Sequence, residues 1–208
     1  MIKILCFGDS NTYGVTPGND DGRFTADIRW PKVLESKLGG GYKVIEDGSP
    51  SRTTNIDDPY LEGKNGKVAL IEDIDKYNPI DIFIIFLGTN DLKGLFERTP
   101  KDIASGAEEL LVTIKNKAVG DKGGVAPKVI LLSPPRVDSV VLVPKPHYIT
   151  GPEKSLGLGT EFKKVAEKQK CDFVDLSKHV EPDMKDGVHL NEKSHVIIAE
   201  LLYKLIKK

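Results

Sequence analysis

Three stretches carry apolar side chains at nearly every position: Ile2 to Phe7, Ile82 to Leu87, and Val129 to Leu132. A strand with one wet face alternates apolar and polar residues, so unbroken runs of this length predict strands buried on both faces. Lys43 to Glu46 and Asp172 to Asp175 are weaker strand candidates. Between the strands, apolar residues recur at helical spacing over Ile28 to Leu38, Val68 to Tyr77, Ile103 to Ala118, Phe162 to Lys168 and Ser194 to Ile206. Strand and helix alternate, which predicts an α/β domain: parallel strands in one open sheet, with right-handed crossovers carrying helices to both faces.

Local signals mark some boundaries. Thr99 followed by Pro100 reads as an N-cap with proline at the first helical position, and Asn191 is placed to cap the last helix. In that helix Ile197, Ile198, Leu201, Leu202, Leu205 and Ile206 form one stripe, which docks it on the sheet. Two long connections, Thr12 to Asp27 and Pro134 to Gly159, are rich in glycine, proline and polar residues and are expected to rim a site. No repeat or linker divides the chain, so residues 1 to 208 read as one domain.

Composition narrows the function. With 30 basic and 31 acidic residues the net charge is -1, which gives no field to collect phosphates. Nucleic acid and membrane surfaces are therefore not expected partners, and small neutral ligands fit better. The apolar stretch Met1 to Phe7 is too short for a signal sequence or a membrane span and reads as the first strand of a cytoplasmic protein. Cys6 and Cys171 match no metal or redox spacing and are expected as reduced, packed thiols in the first and last strands. No cofactor is expected.

Open α/β sheets bind ligands beyond the carboxyl ends of their strands. There the chain places Gly8-Asp9-Ser10-Asn11 after the first strand, Asp47-Gly48-Ser49-Pro50-Ser51-Arg52 after the second and Gly88-Thr89-Asn90-Asp91 after the third. Asp186-Gly187-Val188-His189 follows the last strand. A hydroxyl, small-residue amides, a carboxamide and an Asp/His pair thus share one edge. Acyl transfer needs a nucleophile, a base, a group fixing the base's tautomer, and donors for the oxyanion. Ser10 suits the first role, His189 the second and Asp186 the third. The amides of Ser10 and of the Gly48 to Ser51 loop, together with Asn90, suit the fourth. Asp9, Asn11, Tyr13 and Gly48 flank these groups and are expected to contact substrate.

Each residue has a plainer explanation. Ser10 could simply cap a helix, Asn90 could stabilise its own turn, and Asp186 and His189 could be surface residues before a helix. Three residues apart, Asp186 and His189 can share a face in a helical turn, which would let the carboxylate accept the imidazole proton. His147 and His179 lack an aspartate at that spacing, and His195 lies inside the last helix. Asp183, Asp186 and His189 could also be read as metal ligands, though two carboxylates and one histidine make a poor zinc set.

Taken in order, these blocks resemble the SGNH hydrolases, or GDSL-type esterases, over essentially the whole chain. Ile4-Leu5-Cys6-Phe7-Gly8-Asp9-Ser10 is similar to the family's first block, Leu87-Gly88-Thr89-Asn90-Asp91 to its third and Asp186-Gly187-Val188-His189 to its last. The resemblance implies Ser10 as nucleophile, Asp186 and His189 as orienter and base, and Ser10, Ser51 and Asn90 around the oxyanion. It also implies a flavodoxin-like three-layer α/β/α sandwich with strand order 2-1-3-4-5. That order separates the first and last strands by roughly 14 Å, too far for a Cys6–Cys171 disulfide. Many family members carry glycine where Ser51 aligns.

The run Ser51-Arg52-Thr53-Thr54-Asn55-Ile56-Asp57-Asp58-Pro59, with Arg29-Trp30 upstream, is similar to a branch of arylesterases and acyltransferases. That resemblance implies short acyl esters as substrates, transfer of the acyl group to alcohols or peroxide, and homo-oligomers whose loops enclose the site. Tyr13 and Val15 stand where that branch often has bulkier aromatics, which favours hydrolysis over transfer. A sugar deacetylase or lysophospholipase would use the same groups. A non-catalytic flavodoxin-like binding module is the alternative of another class.

Overall fold

The computed structural model describes residues 1–120, 125–138 and 145–208. Five parallel strands form the main sheet: β1 (Ile2–Gly8), β2 (Tyr42–Gly48), β3 (Ile82–Phe86), β4 (Lys128–Ser133) and β5 (Asp172–Asp175). Their spatial order is 2-1-3-4-5. The helices are α1 (Trp30–Leu38), α2 (Gly66–Tyr77), α3 (Pro100–Lys117), α4 (Gly151–Gln169) and α5 (Glu192–Ile206).

Alternate residues of each central strand enter different cores, which is why these strands are apolar throughout. Leu5, Phe7, Phe83, Ile85, Val129 and Leu131 pack beneath α2, α3 and α4. Ile4, Cys6, Ile84, Phe86, Ile130 and Leu132 pack against α1 and α5 on the opposite face. The result is the expected three-layer sandwich. The predicted caps form as well. The Thr99 hydroxyl accepts from the Asp102 amide while the Asp102 carboxylate accepts from Thr99 N, and Asn191 accepts from Ser194 N.

Three expectations need correction. The long connection beginning at Pro134 ends at Thr150, because α4 starts at Gly151 rather than near Phe162, and residues 139–144 of that connection lie outside the described residues. The connection from Thr12 is built: a one-turn helix, Ser10–Tyr13, leads into a small hairpin of Val15–Thr16 and Asn19–Arg23. Cys171 sits one residue before β5, half-buried, and both cysteines are free thiols. No helix among the described residues is long and apolar enough to cross a membrane.

Candidate active site

Strand register fixes the site's level. Gly8 pairs with Gly48 on one side and with Phe86 on the other, so the segments leaving β1, β2 and β3 emerge side by side. Gly48 has a steric reason to be glycine: a Cβ there would lie 2.1 Å from the backbone nitrogen of Tyr13, so only glycine lets the Ser10 turn sit this close to β2. Asp9, not Ser10, caps that turn, accepting from Asn11 N at 2.9 Å. Ser10 is thereby left with its hydroxyl uncommitted to the helix end.

The hydroxyl meets His189 instead. His189 Nε2 lies 3.1 Å from Ser10 Oγ, and Nδ1 lies 2.7 Å from Asp186 Oδ2. A carboxylate only accepts, so Nδ1 carries the proton and Nε2 is left to accept from Ser10. The 183–189 segment is an irregular turn and not helical, so the shared side of Asp186 and His189 has another origin than the expected one. Asp186 Oδ1 accepts from the amides of Val188 (3.1 Å) and His189 (2.9 Å), folding the chain around the carboxylate. Gly18 N donates to Oδ2 at 2.9 Å from the hairpin. Burial works to raise the Asp186 carboxyl, but the hydrogen bond and charge of His189 and the Gly18 and His189 amides hold it well below the usual carboxylate range.

Asn90 begins a 3₁₀ turn after β3. Its Oδ1 accepts from the Tyr148 hydroxyl at 2.9 Å and its Nδ2 donates to Arg52 O at 3.0 Å. One N–H of the carboxamide remains for the cavity that Ser10, Ser51, Asn90 and His189 line together. Ser51 has φ of 66°, in the left-handed region that favours glycine, which accounts for glycine at the aligned position in many family members. Arg52 binds this loop to the sheet: Nη1 donates to Gly8 O and Asp47 O, both at 3.0 Å, and the guanidinium stacks on Phe7 at 4.2 Å.

The cavity, about 200 Å³, is bounded further by Val15, Asp20, Lys93, Lys145, His147 and Tyr148. Four residues expected to touch substrate do not line it. Asp9 is fully buried as a cap, its carboxyl raised by burial to about 6 against the opposing Asn11 amide and His189. Asn11 holds the histidine segment, donating to Val188 O at 3.3 Å and accepting from Leu190 N at 3.0 Å. Tyr13 lies under Arg23, 3.9 Å from its guanidinium, and Gly48 serves backbone packing.

The competing histidines are placed elsewhere or differently. His195 is buried between Trp30 N and Phe24, and burial drives its pKa down to about 4. His179 is exposed, and His147 stands at the cavity rim. Asp20, rather than Asp183, is the carboxylate that approaches Asp186 and His189, and it is already paired with Lys145 at 2.5 Å.

Sequence reading missed Lys93, Tyr148, Asp20 and Arg52. Only Lys93 left a local signal: it stands three residues after Asn90, and in a 3₁₀ turn that spacing puts two side chains on one face.

A sandwich in this strand order with serine, histidine, aspartate and asparagine at its carboxyl edge is the architecture of the SGNH hydrolases. The chain belongs to the GDSL-like lipase/acylhydrolase family, whose model matches residues 6–197. It is 37% identical to the native aryl esterase of M. smegmatis, with a TM-score of 0.90, covering 100% of this chain and 99% of that one. It is 32% identical to Est24, a carbohydrate acetylesterase from Sinorhizobium meliloti, at a TM-score of 0.91 and the same coverage. A carbohydrate acetylesterase family member from the same organism is 27% identical, with a TM-score of 0.92 over 100% of this chain and 98% of that one. No curated protein matches the chain. The protein is a carboxylic ester hydrolase.

Proposed function

We propose that the protein hydrolyses short-chain acyl esters through an acyl-enzyme on Ser10. The observation that carries this is the unbroken line from Asp186 through His189 to Ser10 Oγ, at 2.7 and 3.1 Å, opening on a cavity of only about 200 Å³. Ser10 Oγ attacks the ester carbonyl as its proton passes to His189 Nε2. The carbonyl π electrons move onto oxygen, which takes hydrogen bonds from the Ser10 and Ser51 amides and Asn90 Nδ2. Collapse breaks the C–O bond, and the departing alkoxide takes the proton from His189. A water then attacks the acyl carbon with His189 again as base, releasing the acid and restoring Ser10. Water is the principal acceptor, with alcohols or peroxide as minor ones.

The test is an aryl acetate assay of wild type against Ser10→Ala, with mass spectrometry of the protein after a covalent serine inhibitor. Loss of kcat by a factor on the order of 10⁴ or more, and one adduct on Ser10, are expected. Equal turnover by the two proteins would sink the proposal. The likeness to two carbohydrate acetylesterases supports a second reading in which the ester is an acetylated sugar. Acetate release from acetylated sugars, compared with aryl acetates, decides between the two.

A further inference from the structure

Ester hydrolysis through Ser10 makes no use of one charged group in the cavity wall. Lys93 is only 8% exposed, yet among the described residues its ammonium has neither a carboxylate within ion-pair distance nor a hydrogen-bond acceptor. None of the acids around it reaches it. Asp91 accepts from Thr54 and Arg98, Asp9 accepts from Asn11 N through Oδ1 while its Oδ2 has no hydrogen-bond partner among the described residues, and Asp58 accepts from Tyr60 N. The neighbouring cation Lys145 is held by Asp20. Among the described residues, what faces the cavity is therefore one uncommitted positive charge beside Asn90 and Ser51.

Lysines this buried are almost always paired, because an ammonium taken from water without a partner is costly. Burial does push the Lys93 pKa down, while Asp58, Asp9 and Asp91 act to keep it charged from a distance. An anion arriving in the cavity would supply the missing partner. The site suits a small monoanion: a single lysine offers a compact point charge and not the planar fork that grips phosphate, and the space is about 200 Å³.

We propose that Lys93 seats a carboxylate of the substrate, so that the preferred esters are short-chain acyl esters carrying a carboxylate near the scissile bond. This rests on the esterase reading above, and it replaces the neutral ligand expected from net charge, since one buried cation outweighs a balanced surface within a small cavity.

The experiment compares esters that differ only in that charge. On the alcohol side the pair is para-acetoxybenzoate and its methyl ester; on the acyl side it is mono-para-nitrophenyl succinate and its methyl ester. Wild type should favour the charged member of at least one pair in kcat/KM by about thirtyfold or more, the scale of a desolvated charge pair. Lys93→Met should bring that ratio close to one. No preference in either pair, or an equal loss on charged and neutral esters in Lys93→Met, overturns the assignment. A binding arm is independent of turnover: monomethyl succinate should raise the Tm of wild type and not that of Lys93→Met. If no ester is turned over but the Tm shift depends on Lys93, the esterase reading fails and the anion site stands. If esters are turned over without charge preference and without the Tm shift, the reverse holds. Without ligand, Lys93→Met should melt no lower than wild type, since it removes a buried charge that has no partner among the described residues. A lower Tm would show that Lys93 has a structural partner and would count against the proposal.

Discussion

The Tyr148 hydroxyl donates to Asn90 Oδ1 at 2.9 Å, and this bond decides which end of the carboxamide can face an oxyanion. Burial pushes the Tyr148 phenol well above its usual range, helped by Asp9 and Asp91, so it stays protonated and stays a donor. With Oδ1 occupied, Nδ2 is turned toward Arg52 O and the cavity.

Asn90→Ala should lower kcat by about 10²- to 10³-fold, or about 2.7 to 4 kcal/mol. Tyr148→Phe removes one of the two bonds that orient the amide and leaves only the one to Arg52 O, so kcat should fall by about tenfold with a smaller change in KM. Steady-state kinetics on an aryl acetate checks both. A Tyr148→Phe enzyme equal to wild type would mean that Arg52 alone orients Asn90.

Asp186→Asn should cost about 10⁴ in kcat. A carboxamide has one donating end, and the aspartate oxygens together accept from Gly18, Val188, His189 N and His189 Nδ1. With the carboxamide NH2 toward the Val188 and His189 amides, donors meet donors and the turn is disrupted; with its NH2 toward Gly18 N and His189 Nδ1, the imidazole moves its proton to the nitrogen facing Ser10. NMR of the His189 ring would report the altered tautomer. Unchanged kcat would exclude Asp186 from the proposed role.

Ser51 separates backbone from side-chain function. Ser51→Gly should relieve about 1 kcal/mol of left-handed strain, partly offset by glycine's greater unfolded-state freedom, and leave kcat close to wild type because the proposed donor is an amide. Ser51→Val should lose about 2 kcal/mol, since a branched side chain is poorly tolerated at positive φ. Thermal melts and kcat together test this, and a large kcat loss in Ser51→Gly would point to the hydroxyl.

Asp73 should lower stability as pH rises from about 4 to about 8. Burial, then the neighbouring Asp47 carboxylate, raises its pKa from 3.8 to about 8, against the pull of Arg52 and Lys76. A carboxyl whose folded value lies above its unfolded one contributes stability that is complete below the unfolded value and is lost as pH rises through the folded one. Asp73→Asn cannot ionise. Its Tm advantage over wild type should therefore grow from about pH 4 to about pH 8 and then level off. A difference independent of pH would contradict this.

Much of the fold could be read from the chain because each central strand feeds two cores, which removes polar residues from it altogether. The start of α4 could not. Gly151, Gly157 and Gly159 read as loop, but packing requires small residues there: a Cβ on Gly159 would lie 2.5 Å from an Asp175 carboxylate oxygen and one on Gly157 2.9 Å from Pro100. Close contact between elements outweighs weak helix propensity when Leu158 and Phe162 are buried in return. At the site, Ser10, Asn90, Asp186 and His189 were visible because strand ends concentrate chemistry. Tyr148 was not, because it reaches Asn90 from 58 residues away with no local pattern linking the two.

The hydrogen bond from Gly18 N to Asp186 Oδ2 joins the hairpin that helps wall the cavity to the carboxylate that accepts from His189 Nδ1. Under the proposed mechanism, that bond ties ester recognition to proton transfer. A swapped or lengthened 15–23 segment would detune the rate while widening the choice of ester, so engineering for scope should leave the Gly18 amide where it is.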